Sequence, residues 1–115
     1  MSYYSARLLF IILVDDGRPK KKNDYDESVF VFRARDFDQA FERALEIGRA
    51  QEKSYRNGTG QNVRWALVEI STLDYVGRKL DGVAVASRLH SRISSAPISY
   101  NRSFHPEKSQ PNQSF

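Results

Sequence analysis

Side chains with chemical reach are scattered along this 115-residue chain, and only one group of them sits close together. Tyr55, Arg56, Arg64, Trp65 and Glu69 flank the short connection Asn57-Gly58-Thr59-Gly60. That grouping sets a general-acid candidate, Glu69, beside two anion-binding guanidinium groups. A plainer reading makes Trp65 a core anchor and puts Arg64 on a solvent face. Arg64 and Glu69 are an odd number of residues apart, so they fall on opposite faces of a regular strand unless a bulge realigns them. His90 and His105 each stand alone, which makes neither a metal site nor a catalytic triad. Asn57 to Gly60 lacks the lysine and the following helix of a phosphate loop, and no GxGxxG or helical histidine pair occurs. Asp74 and Tyr75 read as a turn cap and a rim aromatic. With no cysteine there is no thiol catalysis, disulfide or thiolate zinc site, and the chain suits a reducing compartment. We therefore expect a cytoplasmic protein that is not an enzyme, with no catalytic, cofactor-binding or metal-binding residues and no cofactor.

The elements that must hold these residues are organised around one helix, expected from Asp36 to Arg56. Phe37, Ala40, Phe41, Ala44, Leu45, Ile47, Gly48 and Tyr55 recur at helical spacing, with charged residues on the opposite side. Asp36 is placed to cap the first turn, and Gln39 to reach back to it in a capping box. Arg49, Lys53 and Arg56 fall late in the segment, where the helix dipole favours cations. Asn57 to Gly60 supplies the stop.

Tyr4 to Val14 reads as the first strand. Tyr4, Ala6, Leu8 and Phe10 share a face, but Leu9, Ile11 and Leu13 make the second half apolar on both faces. Such a strand is either central and covered on both sides or presents its second face to a partner. Asp15 to Asp26, with Lys20-Lys21-Lys22, is a polar hairpin loop. The lysines read as solvated, their field cut by Asp15, Asp16, Asp24, Asp26 and Glu27, with phosphate binding as the alternative. Ser28 to Ala34 is the second strand and Asn62 to about Tyr75 the third. The apolar phase of the third changes midway, so either both its faces are partly buried or a bulge rotates it. Val83 to Leu89 reads as a fourth, weaker strand after the turn Gly77 to Gly82. The expected fold is α+β: a four-stranded, mainly antiparallel sheet with one long helix packed on a face, in the order ββαββ.

Residues 1–89 form the expected single domain. Residues 90–115 lose all periodicity and read as a flexible basic tail. Of the formal net charge of +4, the residues after Ser87 carry +3, so the body is nearly neutral. The apolar run Leu8 to Val14 is much shorter than the ~20 residues a membrane-crossing helix needs, and we expect no membrane association.

Several landmarks carry a family resemblance. They are Tyr4-Ser5-Ala6-Arg7-Leu8-Leu9-Phe10, Ala34 before the helix, the series Ala40, Ala44, Gly48, then Tyr55-Arg56-Asn57 with Gly60. Val63-Arg64-Trp65 follows, and Leu80-Asp81-Gly82 leads to Ser87-Arg88. In order and spacing, over about residues 3–89, they resemble the bacterial domain of unknown function 4288 family. Where members commonly show a glutamate and then an aromatic after the last glycine, this chain has Ala84 and Ala86. The resemblance implies a small bacterial cytosolic protein and carries no established activity.

The expected function is a non-catalytic protein-interaction module, of an immunity or adaptor type, whose partner is another protein or a second copy of itself in a homodimer. The candidate interaction residues are Leu9, Ile11, Leu13, Arg56, Arg64, Trp65, Glu69 and Tyr75. The alternative is nucleic-acid binding, with sheet aromatics stacking on bases and the basic tail on phosphates.

Overall fold

The computed structural model describes residues 1–85 and 91–110. The elements are β1 (Ser2–Val14), β2 (Asp24–Ala34), α1 (Phe37–Gln51), β3 (Lys53–Arg56) and β4 (Asn62–Gly77), with a single 3-10 turn at Pro106–Lys108. The strands form one antiparallel sheet in the spatial order β2-β1-β4-β3, so β1 is central. This is the α+β architecture expected, with the order ββαββ.

The helix starts where its caps dictate. Asp36 is extended and its Oδ1 accepts the Gln39 N–H at 2.8 Å. Gln39 Oε1 in turn accepts the N–H of Arg35 at 2.7 Å, one residue earlier than a capping box would have it. Across the sheet, α1 presents Ala40, Ala44 and Gly48, all buried. A Cβ on Gly48 would lie 2.7 Å from a Leu67 methyl and 3.3 Å from one of Leu8. This stripe of small residues lets helix and sheet approach closely. The bulk of the core therefore comes from the sheet: Tyr4, Leu8 and Phe10 from β1 and Phe32 from β2, with Trp65, Leu67, Ile70 and Leu73 of β4 packed against them. Each such large side chain contributes about 1.5–3 kcal/mol when fully buried.

The helix is shorter than expected, because it stops at Gln51 instead of running to Arg56. Glu52 is extended (ψ 138°), and Lys53 to Arg56 pair with Asn62 to Trp65 as an edge strand. Glu52 fixes this exit by accepting the Leu67 N–H of β4 on its carboxylate at 3.0 Å. Asn57 to Gly60 is consequently a hairpin turn and not a helix stop. Asn57 Oδ1 accepts the N–H groups of Thr59 and Gln61 and the Thr59 hydroxyl, and Gly60 takes the positive φ of 81° that closes the turn.

The fourth strand of the sheet is thus Lys53–Arg56. Of the stretch expected to supply it, residues 83–85 are not in a strand and 86–89 lie outside the described residues, as do Ser87-Arg88 and His90.

The change of phase in β4 has a definite cause. Along the β1–β4 ladder the register slips at three places, leaving Val68, Ser71 and Val76 as extra residues on β4 with no counterpart on β1. Each is a bulge that inverts the alternation after it. Leu67, Ile70, Leu73 and Tyr75 therefore all stay on the face toward the helix.

Candidate functional site

Directly opposed residues of antiparallel strands point to the same side, so the register assigns every sheet residue to a face. One face carries α1. The other carries Ser5, Arg7, Leu9, Ile11 and Leu13 of β1. Val31, Val29, Glu27 and Tyr25 lie beside them on β2, and Asp74, Thr72, Glu69, Ala66 and Arg64 on β4. Among the described residues no helix or strand packs over this second face.

Its middle is apolar. Ile11 lies between Tyr25 and Ala66, and Leu13 lies beside Arg64. Leu9, Ile11 and Leu13 stay partly exposed, and Tyr25, Val29 and Val31 are 54%, 38% and 40% exposed. The sequence left two readings of the doubly apolar β1 open. The strand is central in the sheet, and among the described residues no element packs over its second face, where Ser5 is nonetheless buried between Val31 and Asp74. Charges of both signs rim the stripe. Arg7, Arg33, Arg56 and Arg64 stand against Glu27, Glu69 and Asp74, with Arg7 at 4.0 Å from Glu27.

The expected cluster around the hairpin is divided by the sheet. Arg64 and Glu69 do share a face, because the Val68 bulge realigns them, yet they lie opposite Leu13 and Leu9. Four residues of strand separate those positions by about 13 Å. Glu69 instead accepts the Ser71 hydroxyl at 3.4 Å. The two groups do not converge on one small reacting atom.

Trp65 lies on the helix face, packed against the core, with its indole N–H donated to the Tyr55 hydroxyl at 3.3 Å and Lys53 Nζ 4.3 Å from the ring centroid. Tyr75 is on that same face, edge-on to Tyr4 at 5.5 Å, with its hydroxyl 3.5 Å from Ser2 Oγ. Neither belongs to the open face that holds Leu9, Ile11, Leu13, Arg64 and Glu69.

Arg56, at the end of β3, meets Arg64 elsewhere. Both line a cleft of about 900 Å³ at one corner of the sheet, between the loop joining β1 to β2 and the β3–β4 hairpin. The loop contributes Arg18 and Lys20 to the same cleft, and Leu13 and Val63 form part of its floor. Sequence reasoning placed Lys20 in a solvated loop, with phosphate binding as the alternative, and passed over Arg18. Only the path of the loop over the sheet end brings them to Arg56 and Arg64.

Among the described residues no group of three or more His, Asp and Glu side chains is disposed to hold a metal ion, and no helix is long and apolar enough to cross a membrane. Comparison with known proteins gives one match, over residues 3–87, to the family described as Domain of unknown function (DUF4288). No curated protein and no solved structure matches the chain.

Proposed function

The chain belongs to the DUF4288 family of domains of unknown function, and from the geometry above we propose that it is a non-catalytic protein-interaction module. The observation that carries this reading is the sheet face over which no described helix or strand packs. A central strand places Leu9, Ile11 and Leu13 in the middle of it, with Tyr25 beside Ile11, Val29 and Val31 further along β2, and charges of both signs around them. An apolar centre inside a polar rim is the anatomy of a protein-docking surface. The partner it fits is a flat, apolar polypeptide surface in the bacterial cytoplasm. A second copy of this chain is the simplest such surface, since a face carrying both arginines and carboxylates can pair with itself by a two-fold axis that sets opposite charges together. An adaptor or a neutralising immunity role is served by the same face turned to a different protein.

Nucleic-acid binding finds less support. Tyr4, Phe10, Phe30, Phe32 and Trp65 point to the helix, which leaves Tyr3 and Tyr25 for base stacking on the open face.

Sedimentation velocity of the wild type, Leu9→Arg and Ile11→Arg tests the docking surface. Both variants are expected to fold, because a side chain on this face leaves the helix-side core untouched, and both are expected to lose whatever self-association or complex the wild type forms. An unchanged association state and partner set in both would overturn the reading.

A further inference from the structure

We propose that the cleft at the loop end of the sheet is a binding site for a small phosphorylated organic molecule carrying at least two phosphate charges, a nucleoside di- or triphosphate being the class that fits.

Arg18, Lys20, Arg56 and Arg64 face the cleft against the single carboxylate of Asp15. Among the described residues, Arg18, Arg56 and Arg64 have no carboxylate within 4.0 Å, while Lys20 is held by Asp16 at 2.9 Å. The loop's own acids are occupied in shaping it: Asp15 accepts the Gly17 N–H and Asp16 that of Arg18. Three guanidinium groups are thus left together on a concave surface, where the walls focus their field on an incoming anion. Each offers a planar fork that matches two phosphate oxygens at once, and several together call for more than one negative charge.

The remainder of the lining suits an organic moiety. Leu13, Val14, Pro19 and Val63 give an apolar wall, Tyr55 a ring, and Asn23 a side-chain amide for a base edge. The volume lies inside the roughly 300–1,000 Å³ typical of small-molecule sites. A polynucleotide fits less well. Beyond this corner the open face carries two arginines, Arg7 and Arg33, against three carboxylates, Glu27, Glu69 and Asp74, so the described strands have no continuous basic track for a long backbone.

The cleft meets the apolar stripe at Leu13 and Arg64, whereas Leu9 and Ile11 do not line it. Ile11→Arg therefore reads the docking face alone, and Arg18→Gln or Arg56→Gln the cleft alone.

The test is an amide-resolved NMR titration with ATP, inorganic pyrophosphate, AMP, adenosine and an unstructured oligothymidine, with calorimetry for affinities. Saturable shifts from ATP and pyrophosphate are expected in residues 13–23, 54–56 and 62–64, with ATP bound at least about tenfold tighter than AMP. Arg56→Gln combined with Arg64→Gln should weaken ATP at least about tenfold. Arg33→Gln, at the far end of the open face, should bind ATP as wild type does, and so should Ile11→Arg. If the double variant melts early, Arg18→Gln in the loop is the substitute and should weaken ATP in the same sense. The proposal is overturned by absence of saturable shifts at millimolar ATP and pyrophosphate, by unchanged affinity in the arginine variants, or by oligothymidine binding more tightly than ATP.

Discussion

Arg64 and Glu69 lie on the same face of the sheet although five residues separate them, because Val68 is a bulge that β1 does not match. Without that bulge Glu69 would turn toward the helix and Ile70 toward the open face. The three bulges of β4 are what keep Leu67, Ile70, Leu73 and Tyr75 on the core side while its carboxylates and Arg64 lie around the apolar stripe of the open face.

This arrangement distinguishes Val68 from Ile70, which a regular strand would place on one face. Val68 is 51% exposed, whereas Ile70 packs against the core. Val68→Lys is expected to change stability by no more than about 0.5 kcal/mol, and Ile70→Lys to destabilise by about 3 kcal/mol or more. Urea unfolding of the two variants checks it.

The contact between Gly48 and Leu67 sets a limit on helix–sheet spacing. Gly48→Ala adds about 1 kcal/mol of helix propensity and displaces the end of a flexible leucine, so its net effect is expected within about 1 kcal/mol of zero. Gly48→Leu has no such escape and should destabilise by about 1–3 kcal/mol or more. Thermal unfolding that ranks the two equally would show that the helix rides higher on the sheet than described.

Asn57 organises the β3–β4 hairpin through three hydrogen bonds accepted by one side-chain oxygen. Asn57→Ala is expected to cost about 1–2 kcal/mol and to raise amide exchange selectively over residues 53–65. Uniform exchange across the whole sheet would contradict the local role.

Tyr4 supplies a pH dependence. Burial, then the Asp36 carboxylate and Tyr75, push its hydroxyl above the ordinary tyrosine value of 10.0. The neutral form is therefore favoured in the fold. That contribution is fully present below pH 10, declines above it as the unfolded chain releases the proton more readily, and is lost once the pH passes the raised folded value. Stability measured from pH 9 upward should fall more steeply for the wild type than for Tyr4→Phe.

How much of this was legible in the sequence depended on whether a residue's role was local. Asp36 and Gln39 mark the helix start, and Ala40, Ala44 and Gly48 mark its buried stripe, because both signals lie within one element. Lys53 to Arg56 were not legible as a strand. Tyr55 continues the helical apolar spacing and Arg56 suits a helix C-terminus, and what overrides them is pairing with Asn62 to Trp65 and the reach of Glu52 to the Leu67 amide. Likewise the phase change before Glu69 could be seen, but choosing between a doubly buried strand and a bulge needed the register against β1. Leu9, Ile11 and Leu13 were recognisable from alternation alone. Trp65 was legible as a core anchor, the plainer of its two sequence readings, whereas the face taken by Tyr75 depended on the register of β4 against β1. The basic cleft depended on a loop path that no spacing rule specifies.

The central claim is that Leu9, Ile11 and Leu13 form a docking surface, and affinity capture tests it most directly. Tagged wild-type protein and Ile11→Arg, each confirmed folded by circular dichroism, are used to capture partners from host lysate divided into nuclease-treated and untreated halves. A near-stoichiometric polypeptide, whether a second copy or another protein, held by the wild type through nuclease treatment and lost by Ile11→Arg is the predicted result. Equal retention of that polypeptide by the variant, or a capture consisting of nucleic acid that nuclease removes, would contradict the account.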